Sequence, residues 1–170
     1  MRITCRALSA GAAVLFVLGL GAPALAGRGA QPSPGSVALQ APAGWSASAD
    51  GKAVAEAKAD LTAKVPSGPR ARIVRTRQKK KRERAVVKDI KRATKSDPEL
   101  VDGPTDATFG ATGAPGTVTT FAVTTKGSRL VQRYVVVEPP GETSTVIVLE
   151  APESQWDAAE PTLMAAIDVS

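Results

Sequence analysis

A dense run of basic residues between Arg70 and Lys95 is the part of the sequence whose residue types and spacing could most readily do chemistry. These 26 residues hold 13 basic and 2 acidic side chains, a local charge of +11, whereas residues 97–170 hold 3 basic and 11 acidic ones, a charge of −8. Closely spaced cationic groups bind polyanions by releasing counterions. The candidate ligand-binding residues of this basic face are Arg75, Arg77, Lys79, Lys80, Lys81, Arg82, Arg84 and Lys88.

The same run also fits a second interpretation, a solvated loop and helix face that the acidic second half of the chain partly neutralises. If the run does bind a ligand, the expected partner is an anionic envelope lipid, an anionic wall polymer or a protein. No aromatic residue is interleaved with the charges, which disfavours stacking on nucleic-acid bases. We therefore expect no nucleic-acid partner.

Carboxylates near the carboxyl end form a second candidate group. Glu150, Glu153, Asp157 and Glu160 could contribute to a calcium site or a carboxylate pair, but they lack the alternating ligand loop with a central glycine of EF-type sites. Acidic residues at a helix start interact favourably with the helix dipole, which explains them without a ligand. Glu138 and Glu150 are the plausible acids of an alternative function, a carboxylate-based hydrolase.

The amino-terminal residues predict a secretory signal peptide over residues 1–26. Arg2 and Arg6 precede an uncharged stretch from Ala10 to Ala24, and Ala24-Leu25-Ala26 supplies the small residues that signal peptidase requires, with cleavage between Ala26 and Gly27. The stretch is shorter than the roughly 20 apolar residues of a membrane span. We expect a secreted or extracytoplasmic protein whose mature chain has no transmembrane segment.

Removal of the signal leaves 144 residues with 20 basic and 16 acidic side chains, a net charge of +4. The single cysteine, Cys5, precedes the apolar stretch and is lost with it, so we expect neither a lipid anchor nor a disulfide. The sequence has no histidine, and the mature chain is expected to have no cysteine. It therefore lacks the usual general base, the thiol nucleophile and the common transition-metal ligands. We therefore predict a non-catalytic protein without a cofactor or metal.

The elements that must position these residues indicate one domain over residues 36–170, preceded by a Gly/Pro/Ser-rich disordered linker over residues 27–35. Residues 80–95 have the apolar stripe of a helix. Residues 151–167 also predict a helix, with Trp156, Ala159, Leu163 and Ile167 on its apolar side. Pro161 is expected to divide it into a turn and a short helix. Strands are expected over residues 36–42, 72–77, 117–125, 129–138 and 143–150, the last three as an antiparallel meander.

Residues 53–65 favour no single element. Apolar and polar side chains alternate strictly, as in a strand, while Val54, Ala57, Leu61 and Val65 also make a helical stripe. The alternation covers every position, so we favour a strand, with a helix as the alternative.

Two short motifs resemble the PsbP-like superfamily. Residues 38–45 (ALQAPAGW) are similar to its strand, Pro, x-Gly-Trp opening, and residues 150–156 (EAPESQW) with Pro161-Thr162-Leu163 are similar to the last strand and helix of small exported bacterial members of the DcrB and LpqN kind. The resemblance implies an α+β fold, an α/β/α sandwich whose mainly antiparallel sheet is flanked by helices. It also implies a non-catalytic binding or accessory module of the bacterial cell envelope.

Overall fold

The computed structural model describes residues 36–77, 88, 92, 97–139 and 143–170. Seven strands form one antiparallel sheet in the order β2-β3-β4-β8-β7-β6-β5, and β1 pairs with β9 in a separate two-stranded sheet. The α+β class with a mainly antiparallel sheet is therefore confirmed. The elements are β1 (Val37–Leu39), β2 (Trp45–Ala47), β3 (Ala53–Glu56), β4 (Arg70–Arg77), β5 (Glu99–Phe109), β6 (Ala114–Thr125), β7 (Ser128–Val137), β8 (Ser144–Pro152), α1 (Glu153–Ala165) and β9 (Ile167–Val169).

The predicted meander is confirmed as β6, β7 and β8. Threonine and valine dominate these strands because branched side chains pack well on a pleated surface. A tight turn joins β6 to β7 at Lys126 and Gly127, with φ angles of 49° and 77°. Positive φ at both positions is what a two-residue hairpin requires, so the turn fixes the register in which Thr125 pairs with Ser128.

The sheet has two faces because successive side chains of a strand point in opposite directions. On the helix face, Ile147 and Leu149 of β8 join a core with Trp156 and Leu163 of α1. On the opposite face a smaller core is formed by Phe121, Val123, Tyr134, Val136, Val146 and Val148. The buried residues of α1 are Trp156, Ala159 and Leu163, three of the four predicted for its apolar side.

Three predictions about elements need correction. Residues 53–65 are a strand only over Ala53–Glu56, and turns follow. Pro161 does not divide the last helix, because α1 continues through it; proline removes one N–H donor without forcing a break here. Ile167, the fourth predicted apolar residue, lies in β9 instead, where it pairs with Leu39.

The helix expected over residues 80–95 lies outside the described residues except at two positions. Lys88 and Arg92 are helical and exposed. After these positions comes β5, a strand that its residue types did not predict. It is the last strand in the sheet order, and its exposed residues include several acidic side chains and Pro104, which strands otherwise avoid.

Candidate functional site

The predicted basic face is only partly within the described residues. Arg75 and Arg77 belong to the backbone of β4, where they pair with Val146 and Ser144. Lys88 is exposed. The other predicted residues of the basic face lie outside the described residues: Lys79, Lys80, Lys81, Arg82 and Arg84. The predicted cleavage position between Ala26 and Gly27 also lies outside them. Binding by the basic face stays a prediction.

A buried charged group lies on the face of the sheet opposite α1. The carboxylate of Glu150 accepts hydrogen bonds from Nε of Arg70 at 2.7 Å, from Nε of Arg72 at 2.9 Å and from Nε2 of Gln132 at 3.0 Å. Arg70 and Glu150 are each only 1% exposed. We call Arg70, Arg72, Gln132 and Glu150 the Glu150 cluster.

The turns after β3 complete the hydrogen bonding of Arg70. Its terminal nitrogen donates to the carbonyl oxygens of Asp60 and Ala63 at 3.2 and 2.5 Å. The Asp60 carboxylate in turn accepts from the hydroxyl and the main-chain N–H of Thr62, and these bonds lower the pKa of Asp60. The segment that was expected to be regular is irregular because its carbonyl groups turn toward a buried guanidinium.

The Glu150 cluster also affects Tyr134, the single tyrosine of the chain. Burial raises the pKa of the Tyr134 phenol well above its ordinary value, and the negative charge of Glu150 raises it further. The ring meets Phe121 edge to face at 6.0 Å between centroids. One polar atom of the cluster is unsatisfied: Oε1 of Gln132 is buried without a hydrogen-bond partner in the described structure.

The two carboxylates of the hydrolase alternative do not converge. Gln132 lies opposite Glu150, and Val137, next to Glu138, lies opposite Thr145. Six residues of β7 thus separate the two acids, about 20 Å at the usual rise of an extended strand. Glu150 is bound by two arginines, so the geometry does not support this pair as a general acid and base.

A second charged group lies in a groove on the helix face, between the start of α1 and the start of β5. The groove has a volume of about 590 Å³. We call it the α1–β5 groove, and its principal residues are Leu100, Val101 and Asp102 of β5, Arg129 and Arg133 of β7, and Trp156 and Asp157 of α1.

Arg133 forms the floor of the α1–β5 groove. Its guanidinium carbon lies 5.2 Å from the centroid of the Trp156 ring, a cation–π contact. Its Nε donates to the hydroxyl of Thr120 at 3.0 Å, and a terminal nitrogen binds the Glu160 carboxylate. The Arg133 side chain is 13% exposed, so it presents one edge to the groove while its charge is already compensated.

Arg129 lies at the rim and bridges two elements. It donates to Glu153 at the start of α1 at 2.7 Å and to Glu99 at the start of β5 at 2.9 Å. The hydrogen bonds that Arg129 donates to Glu153 and Glu99 raise the pKa of Arg129. All three side chains are largely solvent-accessible, so the bridge aligns β5 with α1 without burying charge.

The carboxyl-terminal acids do not assemble into a metal site in the described part of the chain. Glu150 belongs to the buried cluster, while Glu153 and Glu160 bind Arg129 and Arg133. No group of three or more potential ligands that could hold a metal ion occurs among the described residues. Glu153 lies in the first turn of α1, in agreement with the helix-start interpretation.

A shallower groove runs along the other flank of α1. Trp45 and Glu56 form one wall and Gln155, Ala158 and Thr162 of α1 form the other, around a volume of about 450 Å³. Trp45, from the motif that resembles the PsbP-like superfamily, is therefore half-buried against α1. This position is explained by packing.

Sequence reasoning missed the α1–β5 groove because its residues come from three distant segments. One signal was present: Gln132 and Arg133 are adjacent polar residues within a strand, so they had to lie on opposite faces of the sheet. The structure places Gln132 in the Glu150 cluster and Arg133 in the groove. The partners of each could not be read from the sequence.

Comparisons with known proteins give a structural similarity but no family. No family model matches the chain, so the PsbP-like resemblance stays a prediction, and no curated protein matches it. Among solved structures, the chain is similar to LpqN, described as involved in cell envelope biogenesis of Mycobacterium tuberculosis, with 16% identity and a TM-score of 0.45. The similarity covers 81% of this chain and 86% of that chain.

Among the described residues, no helix is both long and apolar enough to span a bilayer.

Proposed function

We propose that this protein is an exported, non-catalytic binding or accessory domain of the bacterial cell envelope, of the PsbP-like kind, that contacts an anionic surface through residues 75–95. The observation that carries the proposal is the unequal use of positive charge along the chain. Arg70, Arg72, Arg129 and Arg133 all bind carboxylates of the same chain. They are therefore not the groups that would bind an external anion.

The segment from Arg75 to Lys95 has a different balance. It holds 11 basic and 2 acidic residues. Lys88 within it is exposed and has no ion-pair partner in the described structure. A local excess of positive charge attracts anionic head groups or phosphate-bearing polymers, with about 1 kcal/mol for each basic residue near an anionic surface.

The proposal is tested by binding to vesicles of phosphatidylglycerol and phosphatidylcholine. We expect the mature protein to sediment with anionic vesicles at low salt and to be released at high salt, because exposed charges are screened. The variant K79E/K80E/K81E should bind about 100-fold more weakly, since three favourable contacts of about 1 kcal/mol each are lost. A soluble phosphodiester polymer as competitor separates lipid binding from polymer binding.

A matched control is available in the same domain. Lys52, Lys58 and Lys64 are exposed, and K52E/K58E/K64E changes the net charge by the same amount. Equal loss of binding in both variants would show that only net charge matters. Salt-independent binding, or none to either anionic probe, would remove the basic face from the proposal.

A second candidate function is an assembly factor that recognises one envelope protein. The observation that favours it is the α1–β5 groove, where Leu100 and Val101 are 49% and 56% exposed. Large apolar side chains exposed together beside a groove are typical of protein-binding sites.

A further inference from the structure

We propose that the α1–β5 groove docks a short, extended, basic segment of a partner protein, with an apolar side chain of that segment against Val101. This inference deepens the second candidate function and rests on it. It concerns a surface whose charge is opposite to that of the basic segment.

Exposed apolar area marks the position of the contact. Among the described residues, Val74, Leu100 and Val101 are the exposed large hydrophobic side chains. Leu100 and Val101 both line the groove, whereas Val74 is on β4. Leu100 pairs with Phe121 of the opposite core, so its side chain lies on the other face of the sheet and Val101 is the apolar side chain at the groove. Burial of apolar area is favourable by about 25 cal/mol per Å², so a partner that covers the rim of the groove is stabilised there.

Charge in the groove selects the sign of the partner. The two arginines are compensated within the chain, Arg129 by Glu99 and Glu153 and Arg133 by Glu160. Asp102 and Asp157 also line the groove, and neither has an ion-pair partner among the described residues. The uncompensated charge is therefore negative, and a lysine or arginine of the partner complements it.

The geometry of β5 limits the length of the contact. Beyond β5 the sheet has no further strand in the described residues, so its outer edge can accept a partner strand there. The register of β5 with β6 shifts between Leu100 and Asp102 and again before Thr105, and Pro104 lacks an N–H donor. Irregularities and proline interrupt strand addition, so the partner pairs with only a few residues near Glu99 to Asp102.

Peptide selection against the mature protein tests the inference. We expect selected peptides to be enriched in lysine or arginine adjacent to an apolar residue. The probe for quantitative binding is a synthetic nine-residue peptide with alternating lysine and valine, compared with a glutamate–valine and a lysine–serine peptide. Binding of the lysine–valine peptide should exceed that of the other two at least about tenfold, a difference of about 1.4 kcal/mol.

Matched variants locate the contact. V101S/D102K removes one exposed valine and reverses one acid in the groove, and we expect it to weaken the lysine–valine peptide about tenfold. V74S/D106K makes the same chemical change at exposed positions outside the groove and should leave binding unchanged. Circular dichroism and thermal unfolding confirm that both variants fold.

Three outcomes would overturn the inference. The first is selection of acidic or neutral peptides, and the second is equal binding by the two double variants. The third is concentration-dependent self-association that V101S/D102K abolishes, which would make a second copy of this chain the occupant. Neither variant should bind anionic vesicles more weakly than the unmodified protein, because each adds positive charge, so failure here is distinguishable from failure of the basic-face proposal.

Discussion

The Glu150 cluster and the α1–β5 groove use the same residue types for opposite purposes. The cluster combines two arginines with one carboxylate and the groove combines two arginines with several. Gln132 and Arg133 of β7 place one group on each face of the sheet. In the cluster Arg70 and Glu150 are 1% exposed, whereas Arg129 and Glu99 in the groove are 44% and 65% exposed. Burial, and not residue type, therefore makes the first group structural and leaves the second accessible to a partner.

The difference follows from the cost of moving charge out of water. A buried ion pair is tolerated only if nearly every donor and acceptor is satisfied, and Glu150 accepts three hydrogen bonds while Arg70 also reaches two carbonyl groups. An exposed pair contributes little to stability because water screens it. Charged residues at the rim of the groove can therefore be substituted without unfolding the domain.

Removal of the central carboxylate should give the largest effect. Glu150→Leu leaves Arg70 buried without its counter-ion, and we expect the free energy of unfolding to fall by about 3–5 kcal/mol. The double variant E150L/R70M removes both buried charges and should recover most of that loss, because Arg72 is 38% exposed and can turn to solvent. Urea denaturation of the single and double variants measures both values, and equal instability would contradict the assignment of the cluster.

Substitution of Arg133 should lower the free energy of unfolding less than removal of Glu150 does. Arg133→Met keeps the apolar stem but removes the cation–π contact with Trp156 and the ion pair with Glu160, and we expect a loss of about 1–2 kcal/mol. Arg133→Lys retains a charge without the planar guanidinium and should lose less. Urea denaturation checks the order, and a loss as large as that of E150L would show that the Arg133 side chain is fully buried in solution.

Alkaline pH should separate the two regions through Tyr134. Its folded pKa is raised above the ordinary phenol value of about 10, so above pH 10 the unfolded chain releases a proton that the folded chain keeps. Stability is then fully present below about pH 10 and falls by up to about 1.4 kcal/mol per pH unit above it. Tyr134→Phe should abolish this slope between about pH 10 and 11.

The measurement is direct because the chain has one tyrosine. Its ultraviolet absorbance should stay that of the neutral phenol until the protein unfolds, whereas a groove variant such as R133M should titrate like the unmodified protein. Ionisation of Tyr134 near pH 10 in the folded state would show that the sheet face opposite α1 is open to water.

Local patterns predicted the parts of the fold that depend on neighbouring residues. The β6–β7–β8 meander followed from runs of threonine and valine interrupted by Lys126-Gly127 and the prolines after β7. Trp156, Ala159 and Leu163 were assigned to the buried side of α1 from helical spacing alone. Element class was predictable here because each pattern lies within one segment.

Long-range partners explain what the sequence could not predict. Arg70 was grouped with the basic run, but 80 positions separate it from Glu150, to which it binds. The turns at Asp60 and Ala63 depend on that same buried arginine. The groove needs β5, which is charged and contains Pro104, so no periodicity marks it. Sequence reasoning found the charges but not which of them are compensated.

Substitution of Arg129 should have the smallest effect on stability, and it tests directly whether the groove, unlike the Glu150 cluster, is free of structural ion pairs at its rim. Arg129→Ala should leave the unfolding midpoint unchanged within error, because Arg129, Glu99 and Glu153 are all largely exposed to water. The same change releases two carboxylates at the rim of the α1–β5 groove, so we expect the lysine–valine peptide to bind more tightly, by about twofold to fivefold. Isothermal titration at low salt measures this gain, and high salt should remove it. Weaker binding would mean that Arg129 itself contacts the partner, and a lower midpoint would mean that the bridge between β5 and α1 is structural.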